Sequence, residues 1–193
     1  MLLAIRAVNL RDYHMKHLLS VAFAFMLLLV PSMASAASAT VIEAEVNGAV
    51  RQFYAEYPAG RELASKAAGM LVFPDIKKGG FIIGGEYGEG ALRIGGRTSG
   101  YYSSASASIG FQAGIQSRSQ IILFMTQRSL DKFTRSNGWE AGIDANVTVI
   151  EQGASGRTST RIDDKPVLAY IFGESGLMAG VSLEGTKIER INP

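Results

Sequence analysis

From Met70 onward the chain is written in short apolar or alternating runs separated by glycine, and that texture constrains the fold more than any other feature. Runs of this length, bounded by turn residues, read as β-strands joined by tight turns. The candidate strands are Met70–Phe73, Phe81–Tyr87, Ala91–Gly96, Gly100–Ser103, Ser106–Gly114 and Gln120–Thr126, followed by Glu140–Glu151, Pro166–Phe172, Leu177–Leu183 and Lys187–Ile191. Most of the 22 glycines fall in this region, where they supply positive φ at turns or room at bulges. One polar stretch, Gln127–Ser136, places Leu130 and Phe133 at helical spacing behind Thr126, a cap residue, and reads as an inserted helix.

Ahead of the strands the period changes. Ile42, Val46, Ala49, Phe53 and Tyr57 recur at helical spacing, while Glu43, Glu45, Asn47, Arg51 and Glu56 lie largely elsewhere, which describes an amphipathic helix. Thr40-Val41-Ile42-Glu43 fits a capping box at its start, and Pro58 ends it. A second short helix is expected from Arg61 to Ala68, closed by Gly69. The expected fold class is therefore α+β: a mainly antiparallel β-sheet, as a sandwich or a curled sheet, with amino-terminal helices and one inserted helix.

The amino end carries a targeting pattern. Lys16 and His17 precede an apolar run from Leu18 to Val30, Pro31 breaks it, and Ala34-Ser35-Ala36 has the small-residue spacing of a signal-peptidase site. The run is 13 residues long, short of the ~20 that span a bilayer. Cleavage after Ala36 is expected, with Met15 a more natural start than Met1 and residues 1–14 an upstream extension. This leaves 37–193 as a single domain and places the protein in the periplasm or elsewhere in the bacterial cell envelope.

Composition then closes off several chemistries. Arg6, Arg11, Lys16 and Asp12 fall in the amino segment, so residues 37–193 hold 16 basic and 16 acidic side chains, with no excess to bind nucleic acid. Both histidines, His14 and His17, also lie there, and the chain has no cysteine. Zinc sites, His-containing triads, cysteine nucleophiles, iron–sulfur clusters and disulfides are thereby excluded from the domain. No catalytic residue, metal or cofactor is expected.

Three motifs invite chemistry. Gly84-Gly85-Glu86-Tyr87-Gly88-Glu89-Gly90 resembles a phosphate loop, but no Lys-Ser/Thr pair follows, and Ala91-Leu92-Arg93-Ile94 reads as a strand. Glu86 with Glu89, or Asp163 with Asp164, would be the carboxylate pair of a small hydrolase. Arg61, Lys66, Lys77 and Lys78 sit in one stretch beside Phe73, Pro74, Ile76 and Phe81, a mixture of cationic and apolar groups that suits an anionic lipid surface. Two further classes are a structural or protein-interaction module of the envelope, for which a homo-oligomer is the signature, and an outer-membrane β-barrel. The continuous apolar run Ile121–Met125 lacks the alternation a barrel wall requires.

Three blocks in order carry a family resemblance over nearly all of residues 37–193. Gly176-Leu177-Met178-Ala179-Gly180-Val181-Ser182-Leu183-Glu184-Gly185 resembles the closing signature of the SYLF domain family. Lys78-Gly79-Gly80-Phe81, with Gly84-Gly85 and Gly88/Gly90, is similar to its Lys-x-Gly-Phe glycine block. Tyr101-Tyr102-Ser103 through Gly110-Phe111-Gln112-Ala113-Gly114 is similar to its middle block, with Tyr102-Ser103 where a Trp-Ser pair is usual. The resemblance implies a non-enzymatic lipid-binding domain. Eukaryotic members bind phosphoinositides and fungal members also bind and bundle actin; for an exported bacterial protein the implied ligand is an anionic phospholipid or membrane surface, and actin is not an expected partner. Lys78 carries over by motif position and Lys77, Lys66 and Arg61 by proximity, and with the apolar Phe81 beside them they make the expected lipid-binding set.

Overall fold

The computed structural model describes residues 37–80, 83–109, 116–136, 138–150, 165–173, 176–177 and 182–193. Residues 37–193 form one compact unit. Helix α1 (Ala39–Glu56) begins after Ser38, whose extended backbone receives the amides of Val41 and Ile42 on its carbonyl. The expected capping box does not form, because Glu43 turns its carboxylate to Arg93, Thr98 and Tyr101 of the sheet. Ile42, Val46, Ala49 and Phe53 are buried, as their spacing requires. Pro58 does end α1, and it then occupies the first turn of α2 (Pro58–Lys66), where a missing amide costs nothing.

The strands are β1 (Gly69–Gly80), β2 (Ile83–Ile94), β3 (Arg97–Ile109), β4 (Gln116–Phe124), β5 (Trp139–Glu140), β6 (Thr148–Ile150), β7 (Val167–Gly173), β8 (Gly176–Leu177) and β9 (Lys187–Ile191). They make one sheet in the order β5-β9-β3-β2-β1-β4-β7-β6, with β8 on β7. Every pairing is antiparallel except β6 on β7. Helix α3 (Gln127–Arg135) is the inserted helix, and Thr126 caps it by accepting from the Ser129 amide at 3.2 Å.

Four expected strands merge into two. Ile83–Tyr87 and Ala91–Ile94 are parts of β2, and Gly100–Ser103 and Ser106–Ile109 run together in β3, while Phe81, Ile82 and residues 110–114 of the expected strands lie outside the described residues. The glycines between them do not break the strands. Gly88 and Gly90 instead make room for a bulge in β1, where Pro74 cannot donate to the ladder and the register slips between Val72 and Asp75. A Cβ at Gly90 would stand 2.0 Å from the Val72 carbonyl oxygen, and one at Gly88 would stand 2.7 Å from that of Asp75. Ser119 Oγ donates to the Pro74 carbonyl at 2.7 Å and satisfies the bulged backbone. The tight β2–β3 turn falls at Gly95 and Gly96, both at positive φ.

The sheet curls strongly. Trp139 on β5 and Phe124 on β4 are five strand steps apart, about 24 Å on a flat sheet. Their ring centroids are nevertheless 6.5 Å apart. The concave side holds Leu71, Phe73, Leu92, Ile122, Phe124, Ala169, Ile171 and Ile188, closed by Leu130 and Phe133 of α3 and by Trp139. The convex side holds Val72, Ala91, Ile121, Leu123, Leu168, Tyr170 and Phe172 beneath α1. Neighbouring residues of β4 and β7 thus alternate between two cores, so their continuous apolar runs mark strands buried on both faces.

Candidate functional site

Lys77 and Lys78 lie within strand β1, not in a turn, and successive strand residues point to opposite faces. Lys77 is on the helix-bearing convex side, exposed, 3.3 Å from Asp75. Its cross-strand partner on β2 is Tyr87, which is 51% exposed. The Tyr87 hydroxyl donates to Glu89 at 2.8 Å, and its pKa is pushed up to about 12, first by loss of solvent and then by that carboxylate. Glu89 also accepts the Ala37 amide at 3.0 Å, which ties the chain ahead of α1 to this hairpin.

Arg61 and Lys66 belong to α2, on the same convex side but toward the Gly69 end of β1, about 25 Å along the strand from Lys77. Arg61 stands with its guanidinium carbon 5.5 Å from the centre of the Tyr54 ring. Tyr54 in turn lines a groove of about 490 Å³ between α1, α2, the start of β1 and the β2–β3 turn, with Val50, Ala64 and Met70 as apolar wall and Arg93 as its cation. Lys66 is 2.6 Å from Glu62, one helical turn back, which holds the Glu62 carboxyl below its ordinary pKa. Phe81, the fifth residue expected at the site, lies outside the described residues, as do Asp163 and Asp164.

Lys78 points the other way, into the concave side, with Nζ 3.9 Å from Glu86. Glu86 is gripped from β4 by Arg118, at 2.6 Å from one nitrogen and 3.2 Å from the other, and is approached by Ser106 Oγ at 3.4 Å. Glu86 and Glu89 therefore sit on opposite faces of β2 and make no carboxylate pair for hydrolysis. Sequence reasoning overlooked Arg118 and Gln120. Their signal is a period of two: both precede the apolar run of β4 on the parity of Ile122 and Phe124. A third cationic surface, also overlooked, is the outer face of α3, where Arg128, Lys132 and Arg135 surround Asp131.

Among the described residues no cluster of three or more carboxylate, histidine or cysteine side chains is arranged to hold a metal, and no helix is long and apolar enough to cross a membrane. Residues 105–192, just under half of the chain, match the family model Ysc84, described as a Las17-binding protein actin regulator. No curated protein matches the chain.

Proposed function

We propose, on the match of residues 105–192 to the Ysc84 (SYLF) family model, that the protein binds anionic phospholipid through its convex, helix-bearing face. Lipid binding is in keeping with the family, whereas the Las17 and actin of the family description belong to the proteins for which it was named. The observation that carries the reading is a cation set against a tyrosine, twice on one side of the sheet. Lys77 lies across the ladder from exposed Tyr87, and Arg61 lies over Tyr54 at the groove. A basic side chain near headgroups contributes about 1 kcal/mol, and a tyrosine beside it suits the boundary between polar and apolar phases. The Asp75 carboxylate holds Lys77 as an exposed surface pair, weak enough to yield to a phosphate. The amino-terminal targeting pattern supports a place in the cell envelope, where phospholipid is at hand.

Co-sedimentation with phosphatidylglycerol vesicles tests this. Lys77→Ala is expected to weaken binding about fivefold and Arg61→Ala/Lys66→Ala/Lys77→Ala far more, with phosphatidylcholine vesicles bound poorly by all. Lys78→Ala, which alters an inward-facing lysine, is expected to weaken vesicle binding less than Lys77→Ala does. Equal sedimentation of wild type and the triple variant would dismiss this face.

A further inference from the structure

We propose that Lys78, Arg118 and Gln120 form a second site, on the concave side, that binds a small phosphate-class anion. Gln120 is fully buried on β4, and its cross-strand neighbours are Phe73 on β1 and Ile171 on β7, both in the concave core. Among the described residues, neither its Oε1 nor its Nε2 has a hydrogen-bond partner, and neither has the Arg118 Nε two residues before it. Three buried polar atoms on one row are thus unsatisfied. Buried polar groups are nearly always paired, so a row of orphans calls for an explanation, and an apolar residue at 120 would fill the position without penalty.

The surroundings specify what would complete the row. Side-chain exposure falls from 29% at Lys78 to 13% at Arg118 and 9% at Glu86, and to zero at Gln120, which grades the row from solvent to interior. Two cations face one carboxylate there. Both Arg118 terminal nitrogens are used on Glu86, while Lys78, at 3.9 Å, is too far from it for a hydrogen bond and keeps its donors available. The unspent groups are the Lys78 ammonium, the Arg118 Nε–H and the Gln120 amide, with only Gln120 Oε1 as acceptor. Donors in excess over acceptors, with a net positive charge, match a ligand with several acceptor oxygens and a negative charge, and Gln120 Oε1 would accept from a ligand hydroxyl. Phosphate oxygens fit, whether on free phosphate or on a glycerol phosphate headgroup.

Thermal unfolding of the full chain in orthophosphate or glycerol 3-phosphate, against chloride at equal ionic strength, tests the site. In wild type a rise in Tm of about 5 °C is expected at a hundredfold excess over Kd. A response to both anions assigns the site to phosphate as such, and a response to glycerol 3-phosphate alone assigns it to a headgroup. Gln120→Leu should melt at or above the wild-type temperature yet lose the ligand-induced rise. Lys78→Gln, at a partly exposed position, should fold normally and bind about tenfold more weakly. No rise in wild type with either anion overturns the proposal, as does an undiminished rise in both variants. The outcome is separable from vesicle binding, which depends on Lys77 and Arg61 across the sheet.

Discussion

Glu43 of α1 accepts a hydrogen bond from Arg93 of β2 at 2.7 Å, and the two residues fasten the helix to the sheet at a distance of 50 positions in sequence. The other Glu43 oxygen accepts from Thr98 Oγ1 at 2.5 Å and from the Tyr101 hydroxyl at 3.2 Å. One carboxylate thus gathers three donors from two adjacent strands. Glu43→Ala would leave the largely buried Arg93 without its counter-charge, at a cost of about 2 kcal/mol. Thermal unfolding should register that loss as a fall in Tm of about 4–8 °C. Glu45→Ala, an exposed position on the same helix, should move the midpoint very little.

Gly90 should not tolerate a side chain. Its Cβ would overlap the Val72 carbonyl oxygen at the β1 bulge, where the obstacle is backbone and cannot rotate away. Gly90→Ala is expected to destabilise by more than about 3 kcal/mol, visible by circular dichroism as a lowered Tm or a failure to fold. At Gly85 the nearest atom to an added Cβ is 3.7 Å away, an ordinary contact, so Gly85→Ala should melt near wild type. Equal effects at the two positions would contradict the bulge as the reason for the glycine.

Local periodicity made much of this fold legible. The face of α1, the cap and core residues of α3, and the strand character of β4 and β7 all follow from spacings within one element. What stayed hidden depends on partners far away in sequence. Gly88 and Gly90 look like turn residues until β1 is laid beside them, and Pro74 looks like a strand end until Ser119 is seen to meet its carbonyl. Thr40 and Glu43 match a capping box, but the donors of Arg93, Thr98 and Tyr101 compete successfully for the carboxylate. At the candidate site, Lys77 and Lys78 read as one basic patch because sequence adjacency does not reveal that a strand assigns them to opposite faces. Arg118 and Gln120 gain meaning only from register, since Ile76 and Phe73 of β1 lie beside them.

Alkaline pH should unfold the domain through Tyr170. Its ring sits in the convex core, and burial pushes its pKa up to about 12, against an ordinary value of about 10. The folded state thus prefers the neutral phenol, and the resulting stability is complete below pH 10 and is lost as pH rises from 10 through 12. The loss is on the order of 3 kcal/mol. Phenolate absorbance followed alongside far-ultraviolet circular dichroism checks this: in wild type a late-titrating fraction should appear together with loss of structure. In Tyr170→Phe the alkaline midpoint should move upward. Stability that is flat from pH 10 to 12 would contradict the assignment.

The curl of the sheet rests on a ring cluster that its only tryptophan reports. Trp139 is 2% exposed, its ring edge-on to Phe133 at 5.8 Å and to Phe124 at 6.5 Å, while Phe133 also meets Tyr102 at 4.9 Å. These contacts join β5, α3, β4 and β3, elements that a flat sheet would hold far apart. Native emission should therefore be blue-shifted and poorly quenched by acrylamide, becoming readily quenched on unfolding. Phe133→Ala removes the ring that three others touch and should cost about 3–5 kcal/mol. If the cluster holds the curl, quenching of Trp139 in that variant will rise well below its unfolding midpoint, because the β5 edge loosens before the central strands part. A variant that loses stability while Trp139 remains fully protected up to the midpoint would place the origin of the curl in the strands themselves.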